Sequence, residues 1–413
     1  MKWCFLPNLS RKQSLDGQGF SNHNHNDVLL TLAKPIILAR AKNNANFVFS
    51  PSSLHIVLSM IAAGAKGQTQ ARLLSFLRSN SIEELNSLGS LLVTSVLADG
   101  SLSGGPRVSS SNGVWIDGST RFDLNYKNAL SLFYKAHPNE VDFRNKPDEV
   151  IDEVNDWAVK ETNGLIQAIL QPGAVDNLSM LLANALYFKG AWEEKFDASK
   201  RKERKFHLLD GNTVKAAFFT SDKNRHISAY KGFKVLRLPY KNGRRCFSMY
   251  LYLPNAKNGL LDLVENISSR PGFVKHYSPS TKVEVGDFLI PKFKISFGFE
   301  SSGTVFPSTG GHNIFQESYI DVTEDGSEAE SFTDAAQYGT ETTAEIADSK
   351  ATCSTTPKTK KRLNFVADHP FLFLIAEDTS GTVLFMGSVL RVDRWRREGA
   401  PVGAVAPPPS NFF

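Results

Sequence analysis

The sequence predicts a mixed α+β protein folded as one large domain. Three observations lead there. Two segments of the first half read as helices, one started by Ser50-Pro51-Ser52 and apolar nearly all round to Ala63, the other repeating apolar residues at helical spacing over 147–169. Strand-like runs rich in aromatic and branched residues dominate the rest and close in a hairpin. No Pro/Gly linker divides residues 27–299, although 413 residues would allow two or three domains at about 150 residues each.

The elements follow in order. Residues 1–26 form a lead-in, polar and rich in Ser, Asn and Gly from residue 7 onward. Ser50-Pro51-Ser52 starts a helix well, because serine caps and proline is tolerated at the first helical position. Leu54 to Ala63 is apolar nearly all round, so this helix is expected to be central, ending at Gly64 and Gly67. In the second helix Val150, Ile151, Val154, Trp157 and Ala158 alternate with acids and lysines, the pattern of a helix covering a surface. Met180 to Lys189 reads as a strand covered on both faces. Phe233–Tyr240 and Phe247–Leu253 read as strands. Pro370–Ala376 and Thr382–Val389 flank Asp378-Thr-Ser-Gly381, a hairpin with a glycine turn. Residues 326–363 carry almost no periodic apolar signal, which inside a domain marks a functional or disordered loop. Residues 393–413 are an Arg-rich, then Pro-rich tail.

Composition removes several function classes. Lys plus Arg exceed Asp plus Glu by only 5, too little to argue for nucleic acid or an anionic membrane. Cys4, Cys246 and Cys353 lie far apart, with no Cys/His cluster, so no metal site and no disulfide framework is expected. The apolar run Trp3–Leu6 is too short for a signal-peptide core, and no stretch approaches a membrane span. No nucleophile elbow, P-loop, H-E-x-x-H or dinucleotide fingerprint appears, so neither an enzyme nor a cofactor is expected.

Five segments, in this order and spacing, resemble the serpin family, and within it the plant Z-type serpins. They are Asn46-Phe-Val-Phe-Ser-Pro-Ser-Ser-Leu54, Thr162-Asn-Gly-Leu-Ile166, Asn184-Ala-Leu-Tyr-Phe-Lys-Gly-Ala-Trp192, Pro291-Lys-Phe-Lys-Ile-Ser296 and Phe365-Val-Ala-Asp-His-Pro-Phe-Leu-Phe373. The resemblance spans residues 27–299 and 314–392. It implies a domain over 27–392 with three β-sheets, about nine helices and an exposed reactive-centre loop. The partner it implies is a target protease, serine or papain-like cysteine, met by a monomer. That protease cleaves the loop and is held as an acyl-enzyme while the freed loop end inserts into the main sheet.

The same resemblance assigns a hinge to Glu324, Gly326, Ser327, Glu328 and Ala329. An inserting strand must place every second residue in a packed sheet. Ser327, Ala329, Ser331, Thr333 and Ala335 are all small and uncharged, whereas Glu328, Glu330, Phe332 and Asp334 would face solvent. Ser50, Ser53, Asn184 and Gln316 are expected to form a polar "shutter" beneath the opening sheet, with Gln316 where relatives carry histidine. A buried amide there requires hydrogen-bond partners. Trp192 matches the tryptophan of the "breach", where the loop first enters.

Two departures from relatives stand out. The chain is short between Phe299 and Ile314, where the family has a short helix, and long between Gly326 and Phe365. Counting from the hinge puts the scissile bond near Thr340-Glu341. Residues 326–340 then extend to roughly 50 Å at about 3.3 Å each, a full inserted strand. Trypsin-like enzymes would instead favour Lys358, Lys360, Lys361 or Arg362, which would leave too long a tether and make the chain a substrate. These departures keep open a non-inhibitory serpin-fold binding protein. A cytoplasmic or extracellular location is expected, and the basic run 357–362 leaves a nuclear one open.

Overall fold

Helix Pro51–Gly64 forms as the sequence reading expects. The Ser50 side chain accepts from the Ser53 amide at 3.2 Å, proline occupies the first turn, and Pro51 through Ala62 are buried. Gly67 opens the next helix, Gly67–Phe76, with φ at +59°, instead of ending the first. The second expected helix also needs correction. It runs over Pro147–Glu161, not to 169, because the amide of Gly164 turns back onto Val159 with φ at +81°.

The computed structural model describes residues 33–392, apart from 35, 120–122, 162–163, 165–169, 176–177, 179, 269–271, 302–312 and 328–361. The shortened stretch before Ile314, most of the loop and the tail lie outside the described residues. Among the described residues there are 8 helices, in line with the expected about nine, and three sheets.

The seven-stranded sheet runs in the order Phe47–Phe49, Val383–Val389, Phe371–Glu377, Phe247–Pro254, Phe233–Pro239, Arg225–Tyr230 and Lys282–Val283. Its expected strands lie within three residues of their predicted bounds. The hairpin closes as Leu372↔Ser388 and Phe373↔Gly387. A four-stranded sheet orders Leu363–Val366, Val285–Pro291, Thr213–Phe219 and Lys202–His207.

The six-stranded sheet positions the site. Its order is Phe293–Ser301, Asn313–Val322, Gly326–Ser327, Met180–Ala191, Arg107–Asp117 and Pro138–Val141. Burial on both faces explains why Met180–Ala191 lacks polar alternation. Helix Pro51–Gly64 packs against one face, its Leu54, Val57 and Ile61 sharing a cluster with Leu182 and Leu186. On the other, helix Pro147–Glu161 places Val150, Ile151 and Val154 against Trp115, Leu181 and Ala183. That helix is also tied down by polar contacts. Trp115 Nε1 donates to Glu153 at 2.9 Å, and Ser111 Oγ donates to Glu161 at 2.5 Å.

Candidate functional site

Strand Met180–Ala191 is paired along one edge from Arg107↔Lys189 to Ile116↔Met180. Its other edge is paired only in part. At one end Asn313↔Leu181 through Glu317↔Ala185 form a parallel ladder. At the other end Gly326↔Ala191 and Ser327↔Gly190 pair antiparallel. Between them, residues 186–189 and 318–321 carry no pairing with each other among the described residues. The sheet is therefore split, and its upper gap holds the first two residues of the expected inserting strand.

Local chemistry fixes those two residues. Gly326 lies so close to the neighbouring strand that a Cβ there would fall 2.1 Å from Gly190 O, so only glycine fits. The Thr323 amide donates to Gly326 O at 2.8 Å, closing a tight turn. Ser327 is buried and its Oγ lies 2.5 Å from Tyr240 Oη. Burial pushes the Tyr240 phenol far above its ordinary pKa, so it keeps its proton and can donate.

Trp192 closes the gap from the side. Its ring stacks on Tyr240 with centroids 4.7 Å apart, and its Nε1 donates to Thr323 O at 2.9 Å. Its amide donates to Asp325 O at 2.9 Å, and that of Phe196 to Glu324 O at 3.0 Å. The Glu324 carboxylate pairs with Arg201, and Asp325 with Lys195 at 2.7 Å. Behind Trp192 sits a set of charges. The Lys282 hydrogen bond at 2.6 Å holds Glu194 below its usual carboxylate range. Burial, with Arg237 and Lys282 nearby, lowers the pKa of His226.

The expected hinge thus comes together through Glu324, Gly326 and Ser327, while Glu328 and Ala329 lie outside the described residues. So do Thr340, Glu341, Lys358, Lys360 and Lys361. Arg362 is described: its Nε donates to Val285 O at 3.0 Å, and the next amide, Leu363, donates to Glu284 O at 3.0 Å. The bond after Arg362 is therefore held at the start of a strand.

The four expected shutter residues divide into two pairs. Ser50 and Ser53 meet as a helix cap, and Gln316 stands opposite Asn184 in the ladder. The Asn184 amide, fully buried, donates to Asn112 Oδ1 at 3.0 Å and Ser111 O at 3.3 Å. Asn112 in turn donates to Tyr134 O at 3.2 Å. Sequence reasoning missed Asn112, Tyr240, Arg201 and Lys195. Tyr240 ended a strand already read as aromatic, and Asn112 closed the polar run Ser109-Ser-Ser; both signals were in view without a partner to give them meaning.

A central sheet split between two strands, with the chain's own hinge seated in the gap, is the architecture of a serpin. The chain belongs to the serpin family: the family model described as "Serpin (serine protease inhibitor)" matches residues 23–392. Within the family it is a plant serpin of the Z type. It is 46% identical to Serpin-ZX of Arabidopsis thaliana over 88% of this chain and 96% of that one. It is 43% identical to the Arabidopsis thaliana protein named "Probable non-inhibitory serpin-Z5", over 88% of this chain and 82% of that one. Arabidopsis AtSerpin1 in its native stressed conformation superposes with a TM-score of 0.78 at 42% identity, covering 91% of this chain and 99% of that one.

Proposed function

We propose that this serpin inhibits serine endopeptidases, or papain-like cysteine endopeptidases, by inserting its cleaved loop into the central sheet. The observation that carries the reading is the seating of Gly326 and Ser327 between Asn313–Val322 and Met180–Ala191. The protease's nucleophile attacks the scissile carbonyl, the amide bond breaks, and the loop's upstream part stays esterified, or thioesterified, to the enzyme. That part is anchored at Ser327 and zips downward from there. Full insertion breaks the five parallel pairs from Asn313↔Leu181 to Glu317↔Ala185 and replaces each with pairing on both sides of the new strand. Asn184 and Gln316 stand opposite each other within those five pairs, so insertion separates them.

A second reading, a non-inhibitory serpin-fold binding protein, is favoured by Gln316 opposite Asn184 and by the name of the Z5 relative. One experiment separates the two. The full chain is incubated with a panel of chymotrypsin-, trypsin- and papain-like proteases, run on denaturing gels, and melted before and after loop cleavage. Inhibition predicts an SDS-stable complex and a large rise in Tm on cleavage. Cleaved product alone, with Tm unchanged, leaves the non-inhibitory reading.

A further inference from the structure

The chain crosses from the four-stranded sheet to the seven-stranded one at residues 367–370, between strands Leu363–Val366 and Phe371–Glu377. This crossing fixes the downstream end of the loop, because Leu363–Val366 is the strand on which the loop ends. Its backbone is held from two sides. The Ala367 amide donates to Leu289 O at 2.8 Å, and Asp368 O accepts from the His207 amide at 2.7 Å.

His369 sits buried in the middle of the crossing. Its Nδ1 lies 2.7 Å from Asp368 Oδ1, and its Nε2 lies 2.8 Å from Pro254 O. An ionised carboxylate and a backbone carbonyl can only accept. A neutral imidazole carries a single N–H and would turn a lone pair on one of these oxygens at contact distance. The two contacts together therefore require hydrogen on both ring nitrogens, which makes the ring a cation. Asp368 is the matching anion. Burial alone would raise its carboxyl, yet the hydrogen bond and charge of His369, with Lys257 and His207 nearby, hold it below its ordinary value.

The other charged groups reach this carboxylate from separate elements. His207 Nε2, at the end of strand Lys202–His207, lies 3.9 Å from Asp368 Oδ2. Lys257 Nζ, from the turn after strand Phe247–Pro254, donates to that same nitrogen at 2.8 Å.

We propose that His369, as an imidazolium, is a positioning residue that clasps the downstream end of the loop to the seven-stranded sheet. Its two charge-assisted bonds join Asp368, on the chain leaving the four-stranded sheet, to Pro254, the last residue of strand Phe247–Pro254. The end of the loop that stays behind when the upstream part inserts is thereby fixed independently of the hinge. The clasp belongs to the uncleaved chain and does not rest on protease inhibition.

The test uses the full chain with its histidine rings labelled with heavy nitrogen, read by long-range proton–nitrogen NMR at about pH 7. The His369 signals are assigned by their loss in His369→Lys or His369→Gln. Hydrogen on both His369 ring nitrogens is expected, and a bare nitrogen overturns the proposal. Hydrogen exchange is then compared among the unmodified chain and the two variants. His369→Gln has no charge to offer Asp368, so amides of 363–367 and the His207 amide are expected to exchange about tenfold faster. His369→Lys keeps a cation at the crossing and is expected to restore most of that protection, with amides of 190–191 unchanged in both variants. Unchanged exchange in His369→Gln, or equal acceleration in the two variants, overturns the proposal.

Discussion

Tyr240 Oη and Ser327 Oγ meet at 2.5 Å inside the top of the central sheet, with both side chains shut off from solvent. Tyr240 closes strand Phe233–Pro239 of one sheet, and Ser327 is the first inward residue of the hinge in another. One hydrogen bond therefore ties the waiting strand to a fixed wall. Trp192, stacked on Tyr240 and bonded to Thr323, makes that wall rigid.

Tyr240→Phe leaves the Ser327 hydroxyl buried without this partner. The expected loss is about 1–3 kcal/mol of native-state stability, the usual cost of orphaning a buried polar group. A double-mutant cycle with Ser327→Ala, read from urea midpoints, should give non-additivity, since Ser327→Ala removes the group that Tyr240→Phe strands. Additive effects would show that the bond carries no coupling.

Gly326→Val is expected to expel the hinge from the sheet. The added Cβ meets the Gly190 carbonyl 2.1 Å away, and both groups are backbone-bound and cannot yield. The expected outcome is faster hydrogen exchange at 190–191 and a much smaller rise in Tm on loop cleavage. A rise equal to that of the unmodified chain would mean that the pairing seen here is not needed for insertion.

Asn184→Ala removes the donor to Asn112 and Ser111 in the middle of the ladder that must open. Asn112 Oδ1 then loses the partner from Asn184, at an expected cost of about 1–3 kcal/mol. Opening itself should be little changed, because both bonds run to strand Arg107–Asp117, whose ladder with Asn184 stays paired when the sheet opens. Urea midpoints should fall, while loss of the native form on mild heating, followed by native gels, should keep the rate of the unmodified chain.

His226 sets a pH dependence. Burial, with Arg237 and Lys282, lowers its folded pKa, so the folded protein holds it neutral where the unfolded chain protonates near about 6.5. The stability it preserves is present above that value and is lost as pH falls from there through the lowered folded pKa. Melting temperatures between pH 7.5 and 5 should fall less steeply in His226→Gln than in the unmodified chain. Parallel curves would assign the acid loss to other groups.

Much of the fold is legible from local pattern. The Ser50 cap, the all-round apolar helix after it and the glycine turn at 378–381 are decided by short-range chemistry, which a sequence displays directly. The end of helix 147–161 was misjudged because apolar spacing continues past the point where Gly164 turns the chain. The candidate site was legible in one half only. The small residues of the inward series match what an inserting strand would need, but Tyr240, Arg201 and Asn112 act through partners 87, 123 and 72 positions away in the chain.

By itself the sequence determined the family, the large single domain, the glycine at 326 and the alternation that follows it. The family rests on the resemblance of five motifs, and the last two rest on backbone sterics and side-chain period, which act between near neighbours. Only the tertiary structure decided that residues 186–189 and 318–321 do not pair with each other, that Gly326 and Ser327 pair at the upper end between their strands, and that Asn184 bonds to Asn112. Those outcomes depend on which distant strands pair and how far, a choice set by the packing of helices on both faces of the sheet and not by any local run of residues.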